Sequence, residues 1–136
     1  MTAAIDPIVG RYVHVTLGGR THRIYFEEAG QGIPLVCLHT AGADGRQFHH
    51  LMRDAAVTDH YRVLAFDLPW HGKSSPPEGW EREEYRLTAA GYAAAIRGFC
   101  AALGLDQPHS AGIGHLSDYR WESRQSQTGS LRHWLR

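Results

Sequence analysis

The sequence predicts an α/β fold in which an antiparallel hairpin leads into a partly parallel sheet with flanking helices. Three observations carry this reading. Residues 12–17 and 22–28 are rich in β-branched and aromatic side chains and are separated by "GGR", with Gly18 and Gly19 in position for a tight turn. "IPLVCLH" and "YRVLAFD" are short continuous apolar runs, as expected of strands covered on both faces. Between and after these runs lie stretches with helical spacing.

The first such stretch, "ADGRQFHHLMRDAAV", places Phe48, Leu51, Met52 and Ala55 on one side of a crossover helix, with Asp44 as its cap. Strand, helix and strand then form a right-handed βαβ unit whose two strands run parallel. "LPWHGKSSPPEGW" is dense in Gly, Pro and Ser and reads as loop. "LTAAGYAAAIRGFCAALGL" reads as an alanine-rich helix capped by Thr88 and stopped at Gly104. Its apolar stripe is Tyr92, Ile96, Phe99, Cys100 and Leu103.

At Pro108 the composition shifts. Residues 109–136 contain no valine and hold Ser110, Ser117, Ser123, Ser126 and Ser130, whereas the preceding residues contain only Ser74 and Ser75. A segment with neither alternation nor a sustained apolar stripe does not readily offset its ordering entropy. Residues 1–108 are therefore read as one structured unit. Residues 109–136 are read as a poorly ordered tail, and the abrupt change points to a frameshift or deletion near codon 108.

The totals exclude several classes of function. The chain has 136 residues, with 14 basic and 14 acidic side chains in balance, so no charge draws it to nucleic acid or to an anionic membrane. No apolar run is long enough to span a bilayer, and Asp6 and Pro7 interrupt the region a signal peptide would occupy. A cytoplasmic protein is expected. Cys37 and Cys100 form no CxxC pair and read as buried, reduced thiols. Despite ten histidines there is no HExxH, and His49 and His50 are adjacent, so neither a metal nor a cofactor is expected.

Three segments together, "PLVCLHTAGADGRQF", "YRVLAFDLPWHGKSSPP" and "YAAAIRGFCAALGLDQP", resemble the first part of an α/β-hydrolase, over about residues 10–108. Members of that family pair "LHG-x-G" after the third strand with "D-x-x-G-H-G-x-S" after the fourth. His39, Thr40, Ala41 and Gly42 occupy the first motif, and Asp67, Trp70, His71, Gly72 and Ser74 the second. The resemblance implies that the Ala41 backbone N–H supplies half of an oxyanion hole. It implies serine attack on a small-molecule carbonyl compound, at an ester or at a carbon–carbon bond next to the carbonyl. Thr40 and Trp70 stand where the family has glycine, and Thr40 lacks glycine's freedom to bend the loop. His39 and His71 are expected to hold loops through hydrogen bonds, and Asp67 to order the loop after its strand.

The family nucleophile sits in G-x-S-x-G, at a turn following the fifth strand. "HSAG" matches the later part of that motif at Ser110, and Asp118 and His133 follow in the family order of nucleophile, acid and histidine. Distance argues against this set. The alanine-rich helix returns the chain to the amino-terminal end of the parallel strands, and crossing the sheet takes about 17–20 Å of strand. Three Cα steps from Gln107 to Ser110 reach about 10 Å. Pro108 also stands where the turn wants a small residue. A second candidate, "GIGHLSD", centres on His115 or Leu116 and offers no nucleophile. No intact triad is expected.

Without the fifth strand, an edge along residues 35–38 would be open, uncovering four or five aliphatic side chains at about 1.5–3 kcal/mol each. The chain is thus expected to be marginally stable and prone to self-associate at that edge. Three readings follow from the residues: a hydrolase-family chain without turnover, a non-catalytic module pairing through its sheet edge, and an active hydrolase using Ser110.

Overall fold

A computed structural model describes residues 3–105 and 108–112. Strands β1 (Val9–Leu17) and β2 (Arg20–Ala29) form an antiparallel hairpin in continuous register from Val9 opposite Glu28 to Leu17 opposite Arg20. The two-residue turn needs positive φ at both places, and Gly18 and Gly19 supply φ of 56° and 76°. Strands β3 (Ile33–Leu38) and β4 (Tyr61–Phe66) pair in parallel, and β4 also pairs antiparallel with β2.

The predicted crossover helix is broken into shorter pieces. A 3-10 turn (Gly45–Phe48) runs into α1 (His49–Met52), and α2 (Ala55–Thr58) starts afresh after Asp54, whose carboxylate accepts from Ala56 N–H at 2.9 Å. Asp54 is the physical reason for the break, because a side chain that caps a new first turn competes with continuing the old one. Asp44 caps the first turn as expected, accepting from Arg46 N–H at 3.0 Å. Phe48 and Met52 are buried and Leu51 is half-buried, but Ala55 is exposed and does not join their stripe.

Helix α3 (Ala89–Ala102) agrees with the sequence at both ends. Thr88 Oγ1 accepts from Gly91 N–H at 3.0 Å. Gly104 N–H and Leu105 N–H donate to Ala101 O at 3.1 Å and to Cys100 O at 2.9 Å, the paired closure that ends a helix at glycine.

Two apolar layers sandwich the sheet. Ile24, Phe26, Val36, Leu38, Leu64 and Phe66 point to α3, where Phe99 stacks on Phe66 at 4.3 Å and meets Phe26 edge-on at 5.5 Å. Cys37, Val63 and Ala65 point the other way, to Phe48 and Met52. Alternate residues of β3 and β4 thus serve opposite layers, which is why both strands are apolar apart from Arg62 near the start of β4, whose guanidinium pairs with Glu28 at 2.6 Å.

The fold differs from expectation at its last strand. Residues His109–Gly112 form β5, paired in parallel with β3 from Leu35 opposite His109 to Leu38 opposite Gly112. The order is β1-β2-β4-β3-β5. The edge along residues 35–38 is therefore covered, and the structured unit reaches beyond residue 108. The stability loss and the self-association tied to an open β3 edge lose their basis. A strand lacking β-branched residues forms here because the β3 backbone presents a ready row of donors and acceptors to a neighbour. The remainder of the expected tail, residues 113–136, lies outside the described residues.

Candidate active-site loops

Strands β3 and β4 run parallel, so their carboxyl ends emerge at one edge of the sheet. The loops that follow them carry the two motifs, at the edge where open α/β sheets bind ligands.

In the first loop Ala43 N–H donates to Thr40 O at 3.1 Å, closing a turn with Ala41 and Gly42 at its tip. Gly42 has φ of 76°, and a turn of this kind calls for glycine at the third place. Thr40 does not adopt positive φ, so the freedom missing there is not needed. Gln47 clamps the turn from the 3-10 segment: its Oε1 accepts from Thr40 N–H at 3.0 Å, and its Nε2 donates to Thr40 Oγ1 at 3.0 Å. Sequence reasoning missed Gln47, since one polar residue inside a helical stretch carries no periodic signal. Ala41 is exposed, and its N–H has no hydrogen-bond partner among the described residues.

The second loop holds the strain. His71 N–H donates to Leu68 O at 3.0 Å, closing a turn with Pro69 at the second place and Trp70 at the third, where Trp70 takes φ of 70°. The third place of such a turn favours glycine, and tryptophan takes the left-handed conformation there at a cost of about 1–2 kcal/mol. Packing offsets the cost, because the Trp70 ring lies 5.5 Å from Tyr85 and 5.8 Å from Trp80.

Asp67 binds the two loops together. Its buried carboxylate accepts from Gly45 N–H at 2.8 Å through Oδ1 and from Lys73 N–H at 2.8 Å through Oδ2. Gly72 lies so close that an added Cβ would stand 2.1 Å from Asp67 Oδ2. Ser74 Oγ donates to Asp67 O at 2.6 Å and accepts from Tyr25 N–H at 2.9 Å, fixing the loop to β2.

His39 makes a further link. It is fully buried; its Nδ1–H donates to Thr40 O at 2.9 Å, and its Nε2 accepts from Leu68 N–H at 3.0 Å. Both ring nitrogens are thereby used in the neutral form, with no atom left for proton transfer. The His71 ring lies 5.2 Å away, and its Nδ1 bonds Pro69 O at 3.0 Å.

Burial lowers the His39 pKa from its usual 6.5, partly opposed by the bond to Thr40 O. The native ring thus binds a proton less readily than the unfolded one. Where the unfolded state holds more protons, acid favours unfolding, so the His39 contribution is complete above about pH 6.5 and declines below it. Urea unfolding at pH 8 and pH 5.5 should show this decline, and His39→Gln, which does not titrate, should show a smaller one.

Among the described residues no reacting pair is brought together. Among side chains the structure describes, no serine or cysteine is bonded to a histidine ring or a carboxylate. Burial pushes the Cys37 thiol up to about 12, so it stays protonated. Ser110 lies in β5 opposite Val36, two ladder steps before Gly112 pairs with Leu38. At about 3.3 Å per residue it sits some 6–7 Å short of the edge from which the Ala41 turn emerges. Asp118 and His133, like His115 and Leu116, lie outside the described residues.

Known proteins agree with this architecture. The family model described as alpha/beta hydrolase fold matches residues 33–115, which takes in both loops and β5. A 2-hydroxy-6-oxononadienedioate/2-hydroxy-6-oxononatrienedioate hydrolase from a Pseudomonas species is 30% identical over 115 residues, covering 82% of this chain and 38% of the relative. A pimeloyl-[acyl-carrier protein] methyl ester esterase of Vibrio cholerae is 34% identical over 64 residues, covering 47% of this chain and 24% of the esterase. The chain thus spans well under half of these relatives. Among solved structures, a bacterial membrane phospholipase A superposes with a TM-score of 0.66 at 27% identity, over 80% of this chain and 32% of the other. An epoxide hydrolase of Vigna radiata gives 0.64 at 23% identity over 81% of this chain and 33% of the other, a likeness of fold alone. With the strand order, the two stitched loops and a match across more than half its length, this chain belongs to the alpha/beta hydrolase fold family.

Proposed function

We propose that these residues form the oxyanion-binding part of a hydrolase for ester bonds, or for carbon–carbon bonds beside a carbonyl, and that this chain alone supplies no nucleophile. In this reading the Ala41 N–H donates to the oxygen that becomes negative as the carbonyl is attacked. The Thr40–Ala43 turn and the Gln47 clamp support the role, because a donor fixed in advance needs no reorganisation during the reaction. His39, Asp67, His71, Gly72 and Ser74 hold the donor in place. The substrate class rests on the similarity to an oxo-dienoate hydrolase and a methyl ester esterase. A cytoplasmic setting belongs to the same proposal, supported by two buried free thiols. No helix among the described residues is long and apolar enough to cross a membrane.

The observation that carries the absence of turnover is the register of Ser110, which stands opposite Val36 inside the sheet and not beyond its carboxyl end. The residues after Gly112 read "IGHLSD", with leucine two residues after Gly114 where the family motif has serine. A fluorophosphonate probe is expected to leave the chain unlabelled. Labelling that disappears in Ser110→Ala would establish Ser110 as an activated nucleophile and overturn the reading. A module that pairs through its sheet would now have to use the outer side of β5 or of β1, where no described strand lies. Concentration-dependent size-exclusion behaviour would favour it.

A further inference from the structure

One side of the fold carries a cleft that shares the loop after β4 with the motif region but is not lined by the Ala41 turn. It opens between the tip of the β1–β2 hairpin, the residues after β4 and the first turns of α3, and has a volume of about 530 Å³. That lies within the range of small-molecule sites, about 300–1,000 Å³. Leu17, Leu68, Pro77 and Ala95 give it apolar walls, and Trp70 and Tyr85 contribute aromatic rings.

Its charged groups cancel. Arg20 pairs with Glu83, and Arg86 with Glu84 at 3.0 Å, so each cation at the rim is already matched by a carboxylate. Neither a strong anion nor a strong cation finds an unmatched counter-charge.

Among the uncharged polar side chains of the lining, His22 is set deep, at 8% exposed, whereas Tyr85 stands at the exposed rim and Thr88 caps α3. Its Nδ1 lies 3.1 Å from the Arg20 carbonyl oxygen. A carbonyl only accepts, so Nδ1 carries the proton, and in the neutral ring Nε2 is left as an acceptor. Nε2 has no partner among the described residues. No buried side-chain nitrogen or oxygen among the described residues lacks a partner, so Nε2 is in reach of solvent, and an acceptor open in an otherwise apolar cleft is where a ligand O–H can replace water.

The strained backbone points to the same place. Trp70 pays for its left-handed conformation with ring packing against Tyr85, and both residues line the cleft. Strain of this kind collects at binding sites.

We propose that this cleft is a binding site for an uncharged, flat aromatic compound carrying one hydroxyl group, whose O–H donates to His22 Nε2 while its ring lies among Trp70, Tyr85 and the apolar walls. The site does not depend on hydrolysis, so the proposal stands or falls separately from the one above.

The test uses the full chain at pH 8 with 2-naphthol as probe and naphthalene as the counterpart without a hydroxyl, read by calorimetry and tryptophan fluorescence. Naphthol should bind more tightly than naphthalene by on the order of tenfold, the worth of one net hydrogen bond. His22→Phe should erase that preference and keep the aromatic contact, and His22→Gln, which retains an acceptor, should restore part of it. Ala94→Trp fills the cleft from a half-buried position on α3 and should remove both ligands. Unchanged far-ultraviolet circular dichroism shows that each variant is folded. No naphthol binding at millimolar concentration, equal affinity for the two probes, or a preference that survives His22→Phe would overturn the proposal.

Discussion

Replacing Phe99 by alanine is expected to cost about 3–5 kcal/mol, a large part of the roughly 5–15 kcal/mol that holds an ordinary domain folded. Phe99 is fully buried and touches two strands at once, stacking on Phe66 of β4 and meeting Phe26 of β2 edge-on. Removing the ring leaves a hole that Phe26 and Phe66 cannot both fill, since each is fixed in a hydrogen-bonded strand. Urea unfolding followed by circular dichroism checks this. The midpoint should fall steeply, to the point where no native baseline is left at 25 °C. Phe99→Leu keeps more of the volume and should fall less far. A midpoint for Phe99→Ala within experimental error of the parent would mean that α3 is not packed on the sheet as described.

The second large effect is expected at Asp67. Asp67→Ala leaves the Gly45 and Lys73 N–H groups without their acceptor, at about 1–3 kcal/mol for each donor that stays buried. Asp67→Asn keeps one acceptor but turns an amide NH2 toward the other donor, so it should lie between the parent and the alanine variant. The effect should also be local. Asp67 joins the start of the 3-10 turn to the loop after β4, and that turn carries Gln47, the clamp on Thr40. Amide hydrogen exchange should therefore quicken across residues 40–47 and 67–74 in both variants before it changes in β1. Unaltered exchange in the first of these loops would separate Asp67 from the oxyanion turn.

Most strands were legible because their burial is written in their composition. β3 is apolar at every step, and β4 from Val63 onward, since helices cover both of their faces, and the hairpin announced itself through two glycines at a turn that needs positive φ. Helix α3 was legible at both ends, because a threonine hydroxyl and a glycine satisfy backbone groups that a helix cannot satisfy for itself. The break at Asp54 was harder to see, since the apolar spacing continues past it and only the cap reveals a new start.

In the candidate site, the sequence pointed to both motif loops and to the structural duties of His39 and Asp67. It placed the backbone difficulty at Thr40, whereas the strained residue is Trp70, because the third place of a turn is defined by a hydrogen bond that only the folded loop reveals. Gln47 was invisible for a related reason: its partners, the N–H and hydroxyl of Thr40, become neighbours only after the chain turns back.

The sequence by itself determined the layered α/β plan and the parallel pairing of β3 with β4, which follow from local periodicity and turn chemistry, while the two motif loops were located by their resemblance to a known family. Only the tertiary structure decided that "HSAG" becomes β5 and that Ser110 stands opposite Val36. A histidine followed by three small residues has little preference of its own for an extended form, and it is the unpaired backbone of β3 that gives it one.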